Sequence, residues 1–521
     1  MEVLTDKMFL SFMIGWGRTA MKKMKAIQAM PAVIALCLAL SGCSASKEVP
    51  ADRYHLSVMT YSYTEEPMKG EVGQQILHKV EEYTGTELDI DWVSSTNYSQ
   101  KLSTVLTYSK DMPMIIATDG KSASVLYAAR AGLFWDLTDL LREYPNLSKS
   151  DPEIDSNIMI DGRMYGVSRC RELGRVGVTY REDWAERLGL KAPDSIERLE
   201  KMIRAFTFDD PDGNGLDDTY GMVLSKDTDP SVLDVIMVWF GAPNAWGPDE
   251  NGDLIPSFYT PEYKNGLNWL RRMYQEGCIN ADFYIRDAEH WTTELKNGRA
   301  GVLVRYVDEG RRVQDYFNYE GLDWKISLLG AVEGYDGVKR TLATSGHNGF
   351  FAVTKAASTL EDVKRCLDFL DKMNDPDMML LADNGLEGRH YTFSEDGKLI
   401  RSMDLQLNLE YNDLNQLETY SAYNSSPNVT LMETELMKRQ MELYEENKQY
   451  CVKNPVLPFI QDSPTYMRDG EMLDRMLADA RVRYIIGEID EEELEQLWDT
   501  WREMGGSQLI EEVNALYKVR R

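Results

Sequence analysis

Histidine, cysteine and positive charge are scarce in this chain, and each scarcity removes a class of chemistry. Five histidines (His55, His78, His290, His347 and His390) are scattered over 521 residues, with no HExxH pair to hold zinc on a helix face. Cys170, Cys278, Cys366 and Cys451 stand far apart with no CxxC spacing, which reads as small buried hydrophobes rather than a disulfide framework or a metal site. A Gly-x-Ser-x-Gly elbow and a phosphate-cradling glycine loop are both missing. Lys and Arg number 57 against 86 Asp and Glu, a formal charge of −29, and such a surface repels nucleic acid and anionic membranes. Paired carboxylates for glycoside hydrolysis stay open, because so many acids guarantee some pairs within reach.

Long apolar runs are scarce as well. Lys22, Lys23 and Lys25 precede a mostly apolar run from Ala26 to Leu40, the length of a signal-peptide core and too short to span a bilayer comfortably. It ends in Leu40-Ser41-Gly42-Cys43, which resembles the bacterial lipobox, where cleavage precedes a cysteine that carries a diacylglycerol. Residues 1–42 are therefore expected to be a lipoprotein signal peptide, Met21 the natural start, and Cys43 the lipidated mature N-terminus. An uncleaved anchor is the alternative, and either puts the rest of the chain outside the membrane. Without residues 1–42 the balance is 52 basic against 84 acidic residues, or −32. Residues 43–53 read as the lipidated cysteine and a small, polar tether. The remaining chain is long enough for two large lobes, since single cores stop growing near 250 to 300 residues.

Past the tether, the pattern alternates strand and helix. His55 to Tyr61 reads as a strand. Gly73 to Tyr83 is predicted helical through Ile76, Leu77 and Val80, with Gly85 as its C-cap. Leu88, Ile90 and Trp92 alternate as in a strand, Tyr98 to Tyr108 is predicted helical, and Met114 to Ala117 is a short buried strand. This alternation predicts an α/β lobe with a mainly parallel sheet, whose ligands bind beyond the strand C-terminal ends. Tyr61, Asn97 and Asp119 follow such ends and are candidate cleft residues. A second α/β section begins near Val176 to Tyr180, and a third strand-then-helix unit spans Gly349 to Asn374. The C-terminal part is helix-rich: Leu494, Leu497, Trp498 and Trp501 form one stripe, and Gly505-Gly506 are expected to stop that helix.

The sharpest local motif runs from Asp210 to Gly221. Asp210, Asp212, Asn214 and Asp218 occupy positions 1, 3, 5 and 9 of an EF-hand-type loop, Gly215 the sixth, and the Leu216 carbonyl the seventh. Gly221 stands where the bidentate glutamate belongs. The motif predicts a structural calcium ion; the same residues also suit a metal-free surface turn.

The lipobox and the calcium-type loop do not stand alone. With them come Gly132 to Thr138 (GLFWDLT), Asp161 to Gly166 (DGRMYG), Tyr180 to Trp184 (YREDW), the run from Tyr263 to Gly277, Asn297 to Gly301 (NGRAG), and Gly385 to Tyr391 (GLEGRHY). In this order they resemble extracellular solute-binding protein family 1, in its lipoprotein branch serving oligosaccharide ABC importers. The resemblance implies a two-lobed, periplasmic-binding-protein-like α/β fold of type II. One lobe would comprise residues 54–170 plus 344–395, and the other 171–343 plus 396–521. It implies a monomeric, non-enzymatic sugar binder on the extracellular face of the membrane, touching the bilayer only through its Cys43 lipid and docking on permease subunits. The alternative is a secreted glycoside hydrolase or polysaccharide lyase. Sugar recognition needs flat aromatic faces and planar polar groups. By position, Trp246, Trp291, Arg305, Tyr306, His347, Asn348, Glu387 and Tyr391 are candidates, with Trp135, Trp184, Trp269 and Trp498 expected in the core. Arg169, Arg171, Arg175 and Arg181 crowd the expected lobe crossover as a possible cationic patch.

Overall fold

A computed structural model describes residues 53–520 except 69, 109, 226–231, 287–290 and 420–432. The signal peptide, Cys43, most of the tether, His290 and the side chain of Trp291 lie outside the described residues. Strands are numbered along the chain. The first sheet has the order β2 (Thr86–Ser94), β1 (Tyr54–Ser62), β3 (Ile115–Ala117), β13 (His347–Val353), β4 (Gly166–Cys170). The second runs β10 (Ile326–Leu329), β5 (Val176–Arg181), β9 (Ala300–Tyr306), β6 (Tyr220–Val223). A small sheet joins β11 (Val332–Glu333), β12 (Lys339–Leu342) and β16 (Cys451–Val452), and two hairpins pair β7 (Trp246–Pro248) with β8 (Leu254–Pro256) and β14 (Tyr391–Phe393) with β15 (Leu399–Arg401).

The early elements follow their side-chain periods. In β1, Leu56, Val58, Met59 and Tyr61 are buried, and the helix Gly70–Thr84 buries Ile76 and Val80 one turn apart. Gly85 then takes φ +74° and returns its N–H to the Glu81 carbonyl at 2.9 Å, ending the helix where an L side chain would be strained. The helix Tyr98–Tyr108 has the bounds that its periodicity predicts.

The first sheet is mixed rather than mainly parallel. β1 pairs in parallel with β2 and β3, but β13 is antiparallel to both β3 and β4. The reason is topological: β13 enters this sheet from the other lobe and so runs the opposite way. The second sheet is mixed too, with β5 antiparallel to β9 and β10 and β6 parallel to β9.

Each sheet anchors its own core, which gives the molecule two lobes. The first gathers buried apolar residues from Leu56 to Val167 and from Phe350 to Leu417. The second gathers residues from Val176 to Leu342 and from Val456 to Val513. Tyr411, Leu414 and Leu417 therefore pack in the first lobe, whereas the sequence-based partition gave 396–521 to the second. Asp413, 1 % exposed, holds that segment there by accepting hydrogen bonds from Ser62 Oγ (3.2 Å) and the Tyr63 and Thr64 N–H groups (2.8 and 3.2 Å).

The lobes meet at neighbouring crossing segments. Arg171 N–H donates to the Gly346 carbonyl at 2.7 Å, Thr344 N–H to Leu173 at 3.0 Å, and Cys170 N–H to Thr419 at 2.7 Å. At the C-terminus, the helix Glu491–Trp501 does not stop at the glycines. Gly505, at φ 130°, makes a kinked turn at Arg502–Gly506 and the chain continues as the helix Ser507–Arg520. The four described cysteines are free, with Cys278 and Cys366 buried. Among the described residues no helix is long and apolar enough to cross a membrane.

Candidate functional site

At the crossing segments, between the two sheets, lies a cavity of about 1420 Å³. Tyr63 follows β1 and His347 and Asn348 open β13 of the first sheet, Arg305 and Tyr306 come from the end of β9, and Arg171, Arg175 and Thr344 from the crossing segments. A further wall is formed by the stretch from Leu399 to Glu418. The position agrees with the rule that α/β sheets bind ligands beyond their strand ends.

A bulge places His347 and Asn348. The register between β13 and β4 shifts between His347 and Phe350, and Gly349 sits there at φ +74° with no room for a Cβ, which would lie 1.8 Å from the Thr118 carbonyl oxygen. Burial, with Lys121 and Arg171 nearby, pulls the His347 imidazole down to about 4, so it is neutral near pH 7. Its Nδ1 accepts from the Gly349 N–H at 3.1 Å, which puts the proton on Nε2, and Nε2 has no hydrogen-bond partner among the described residues. A donor is thus left at the cavity wall.

Guanidinium groups brace the other contributors. Arg169, fully buried, donates to the Asn348 carbonyl (3.0 Å) and to Gln416 Oε1 (2.7 Å), while its guanidinium sits 4.9 Å from the Tyr61 ring centroid. Tyr306 lies against two more, Arg175 at 4.1 Å and Arg305 at 4.8 Å. Arg175 is held by a two-pronged pair with Asp308, both contacts at 2.8 Å.

Of the residues nominated by sequence, Arg305, Tyr306, His347 and Asn348 come together at this cavity. The other nominees whose side chains are described do not line it. Tyr61 is core, stacked on Tyr98 with centroids 3.6 Å apart. Asn97 is exposed at the end of a short 3₁₀ turn, and Asp119 has one buried oxygen with no hydrogen-bond partner among the described residues, near Tyr61. Arg181 is 1 % exposed, paired with Asp183 at 2.6 Å and stacked on Trp184 and Trp324. Trp246 is 6 % exposed: the β7–β8 hairpin turns it into the second core, while its neighbours Asn244 and Ala245 line the cavity. Glu387 is exposed and Tyr391 is buried beside Leu399. Of the four crossover arginines, Arg171 and Arg175 reach the cavity and Arg169 and Arg181 are buried structural cations. Trp184, Trp269 and Trp498 are core as expected, and Trp135 is half-buried.

Sequence reasoning missed Tyr63, Tyr316, Asp383, Arg401 and Glu418. Tyr63 is 54 % exposed at the cavity, its ring near-parallel to that of Tyr61 with centroids 6.4 Å apart. Its one local signal is its position just after β1, the kind of place that singled out Tyr61. Asp383 and Glu418 carry no local signal, because only the fold brings them together.

In the calcium-type loop, Asn214 sits amid the acids. Its N–H donates to Asp210 Oδ1 (3.0 Å) and Asp212 Oδ1 (3.2 Å), and its Nδ2 reaches Asp212 Oδ2 (2.9 Å) and Asp218 Oδ1 (3.2 Å). Burial, then Asp210 and Asp218, raises the Asp212 carboxyl. Among the described residues no group of three or more His, Cys, Asp or Glu is arranged around a metal position. The Leu216 N–H holds Asn214 Oδ1 at 2.7 Å, turning the amide nitrogen toward the acids instead.

The sequence profile of bacterial extracellular solute-binding proteins matches residues 61–370. The chain belongs to that family. It is 36 % identical to lipoprotein LipO of Bacillus subtilis over 450 residues, covering 85 % of this chain and 88 % of LipO. It is 31 % identical to the B. subtilis polygalacturonan/rhamnogalacturonan-binding protein YtcQ over 496 residues, covering 93 % and 97 %. The fold matches the Streptococcus pneumoniae ABC-transporter substrate-binding protein FusA, solved with kestose, at a TM-score of 0.66 and 20 % identity over 89 % of this chain and 99 % of FusA. FusA has also been solved as an EF-hand mutant with fructo-nystose.

Proposed function

We propose that the chain is a lipid-anchored receptor that captures an oligosaccharide outside the cell and delivers it, chemically unchanged, to the permease of an ABC importer. The observation that carries this reading is the cavity itself. Both lobes contribute walls, the crossing segments form its base, and its lining mixes aromatic faces with arginines, amides and a neutral histidine. Flat rings stack on the apolar faces of pyranoses, and fixed polar groups read their hydroxyls. A ligand touching both lobes at once selects a closed arrangement about the crossing segments. YtcQ and FusA are named for, or solved with, oligomeric saccharides, which supports the same class here.

The test is thermal unfolding of residues 44–521 against kestose, α-1,4-galactotriose, trigalacturonate and rhamnogalacturonan oligomers. A binder with free ligand at about 100 times its Kd gains roughly 2.7 kcal/mol, and a selective rise in melting temperature is expected. No shift with any of them contradicts the saccharide reading. Replacing Tyr63 by alanine is expected to weaken binding severalfold without lowering the ligand-free melting temperature.

The loop from Asp210 to Asp218 would hold a structural calcium through Asp210, Asp212, Asn214, the Leu216 carbonyl and Asp218. Crowded carboxylates suit a hard cation, which would offset the burial and the repulsion from Asp210 and Asp218 that together raise Asp212. In the same melting assay, Asp212→Ala with Asp218→Ala is expected to lower stability in calcium only. An equal loss in chelator contradicts the metal site. The anchor would be the diacylglycerol on Cys43. Cys43→Ala is expected to release the protein from membranes into the medium, and normal retention of that variant contradicts the anchor.

A further inference from the structure

Two carboxylates stand together in the cavity wall with unsatisfied oxygens. Asp383 lies at the C-terminal end of the helix Pro376–Asn384, and Glu418 follows the 3₁₀ turn Asn412–Leu417. Glu418 is 3 % exposed, and among the described residues neither its Oε1 nor Asp383 Oδ2 has a hydrogen-bond partner. Both residues line the cavity, with Arg171 and Arg401 beside them. Neighbouring groups hold both arginines in place. Arg401 Nε donates to Asn384 Oδ1 at 2.6 Å, and Arg171 Nη1 to the Cys170 carbonyl at 2.7 Å.

Leaving a buried carboxylate oxygen unpaired costs more than a satisfied one returns, so a fold keeps such groups where something outside the protein completes them. The helix C-terminus makes matters worse for Asp383, since the partial charge there is negative. Burial raises both acids. For Asp383 this is opposed by Arg401 and Arg171 and still reaches about 7; for Glu418 the nearby Asp383 adds to burial and Arg171 opposes it. Tyr411, Arg311 and Asp315 are the further titratable or charged groups that act on Arg401 beside this pair.

We propose that Asp383 and Glu418, flanked by Arg171 and Arg401, form the subsite that reads the hydroxyls of an uncharged sugar ring and turns away a ring carrying a carboxylate. This rests on the saccharide reading above. Ring hydroxyls donate to the two free oxygens, and the guanidiniums donate back to hydroxyl oxygens. Hydroxyl donation favours the ionised carboxylates, so binding lowers their proton affinity and expels a proton. Affinity then rises with pH through the range in which unliganded Asp383 titrates. A uronate ring at the same place would add a third negative charge, raise the proton affinity of the pair and take up a proton instead.

The experiment is calorimetric titration of the mature chain with α-1,4-galactotriose and with trigalacturonate, at pH 6 and pH 8, in buffers of different ionisation enthalpy. The expected result is tighter galactotriose binding at pH 8 with net proton release, and weaker binding of trigalacturonate. Asp383→Asn and Glu418→Gln are each expected to weaken galactotriose binding roughly tenfold and to reduce the proton release. Proton uptake with galactotriose, a preference for trigalacturonate, or unaltered binding by both variants overturns the proposal.

Melting without ligand provides a separate readout. The folded state holds a proton on Asp383 more tightly than the unfolded chain does, so the parent loses stability as pH rises from about 4 through 7. Asp383→Asn lacks that penalty and is expected to melt above the parent at pH 8, with the gap closing at pH 4. A merely structural carboxylate would give the opposite, a variant less stable at pH 8. If the parent binds neither sugar, the four-ligand melting panel decides the saccharide reading separately, and the pH 8 melting comparison still decides whether this pair is a site held at a cost to stability.

Discussion

Asp413→Ala is expected to destabilise the protein by about 3 kcal/mol or more and to remove Tyr63 from its place at the cavity. Asp413 is 1 % exposed and accepts from Ser62 Oγ, the N–H groups of Tyr63 and Thr64, and the Thr64 hydroxyl. A hydrogen bond to a charged group contributes about 1.5 to 3 kcal/mol, and buried donors left without an acceptor add their own desolvation cost. The same carboxylate ties the stretch ending in Gln416, Leu417 and Glu418 to the end of β1, next to Thr60 Oγ1, which donates to the Gln416 carbonyl at 3.0 Å. Its loss should therefore disturb both the aromatic and the acidic walls of the cavity. Urea unfolding and sugar titration of the variant check this. A loss of less than about 1 kcal/mol, with unchanged binding, would mean that the segment is held by its apolar contacts alone.

Asp308→Ala is expected to cost about 3 to 5 kcal/mol, the range for removing one partner of a buried ion pair. Asp308 is fully buried in the first turn of the helix Val307–Tyr319, where the helix dipole favours a negative charge. It accepts from Arg175 Nε and Nη2 at 2.8 Å each, from Arg312 Nη2 at 3.1 Å and from the Tyr444 hydroxyl at 3.1 Å. Without it, the guanidinium of Arg175 is left 12 % exposed without its carboxylate, and the contact of Arg175 with Tyr306 loses its brace. Adding Arg175→Met should recover part of the loss, because the orphaned charge is gone. A double variant as unstable as the sum of the single losses would show that the two residues act independently.

Much of the scaffold was legible in the sequence, because burial repeats at the period of each element. The helix Tyr98–Tyr108 follows directly from where Leu102, Val105 and Leu106 fall, and β1 reads as a run buried on both faces from Val58 to Ser62. The order of motifs from Gly132 to Tyr391 likewise pointed to the family that the profile match then showed. The errors have physical causes. Trp246 follows a Gly-Ala-Pro-Asn turn and reads as exposed, yet the β7–β8 hairpin turns it inward and leaves Asn244 and Ala245 at the cavity. Arg181 at a strand end reads as a ligand residue, but Asp183, Trp184 and Trp324 absorb its charge and its planar face. Asp383 and Glu418 could not be found at all. They lie 35 positions apart, and their meeting depends on the 411–418 segment returning to the first lobe through Asp413.

The most direct test of the account is equilibrium dialysis of the mature chain against the saccharide that raises its melting temperature most, followed by mass spectrometry of what is bound. The account predicts one saccharide retained per chain and recovered intact after long incubation. Shortened or unsaturated products would contradict it and identify the cavity as the active site of a carbohydrate-cleaving enzyme.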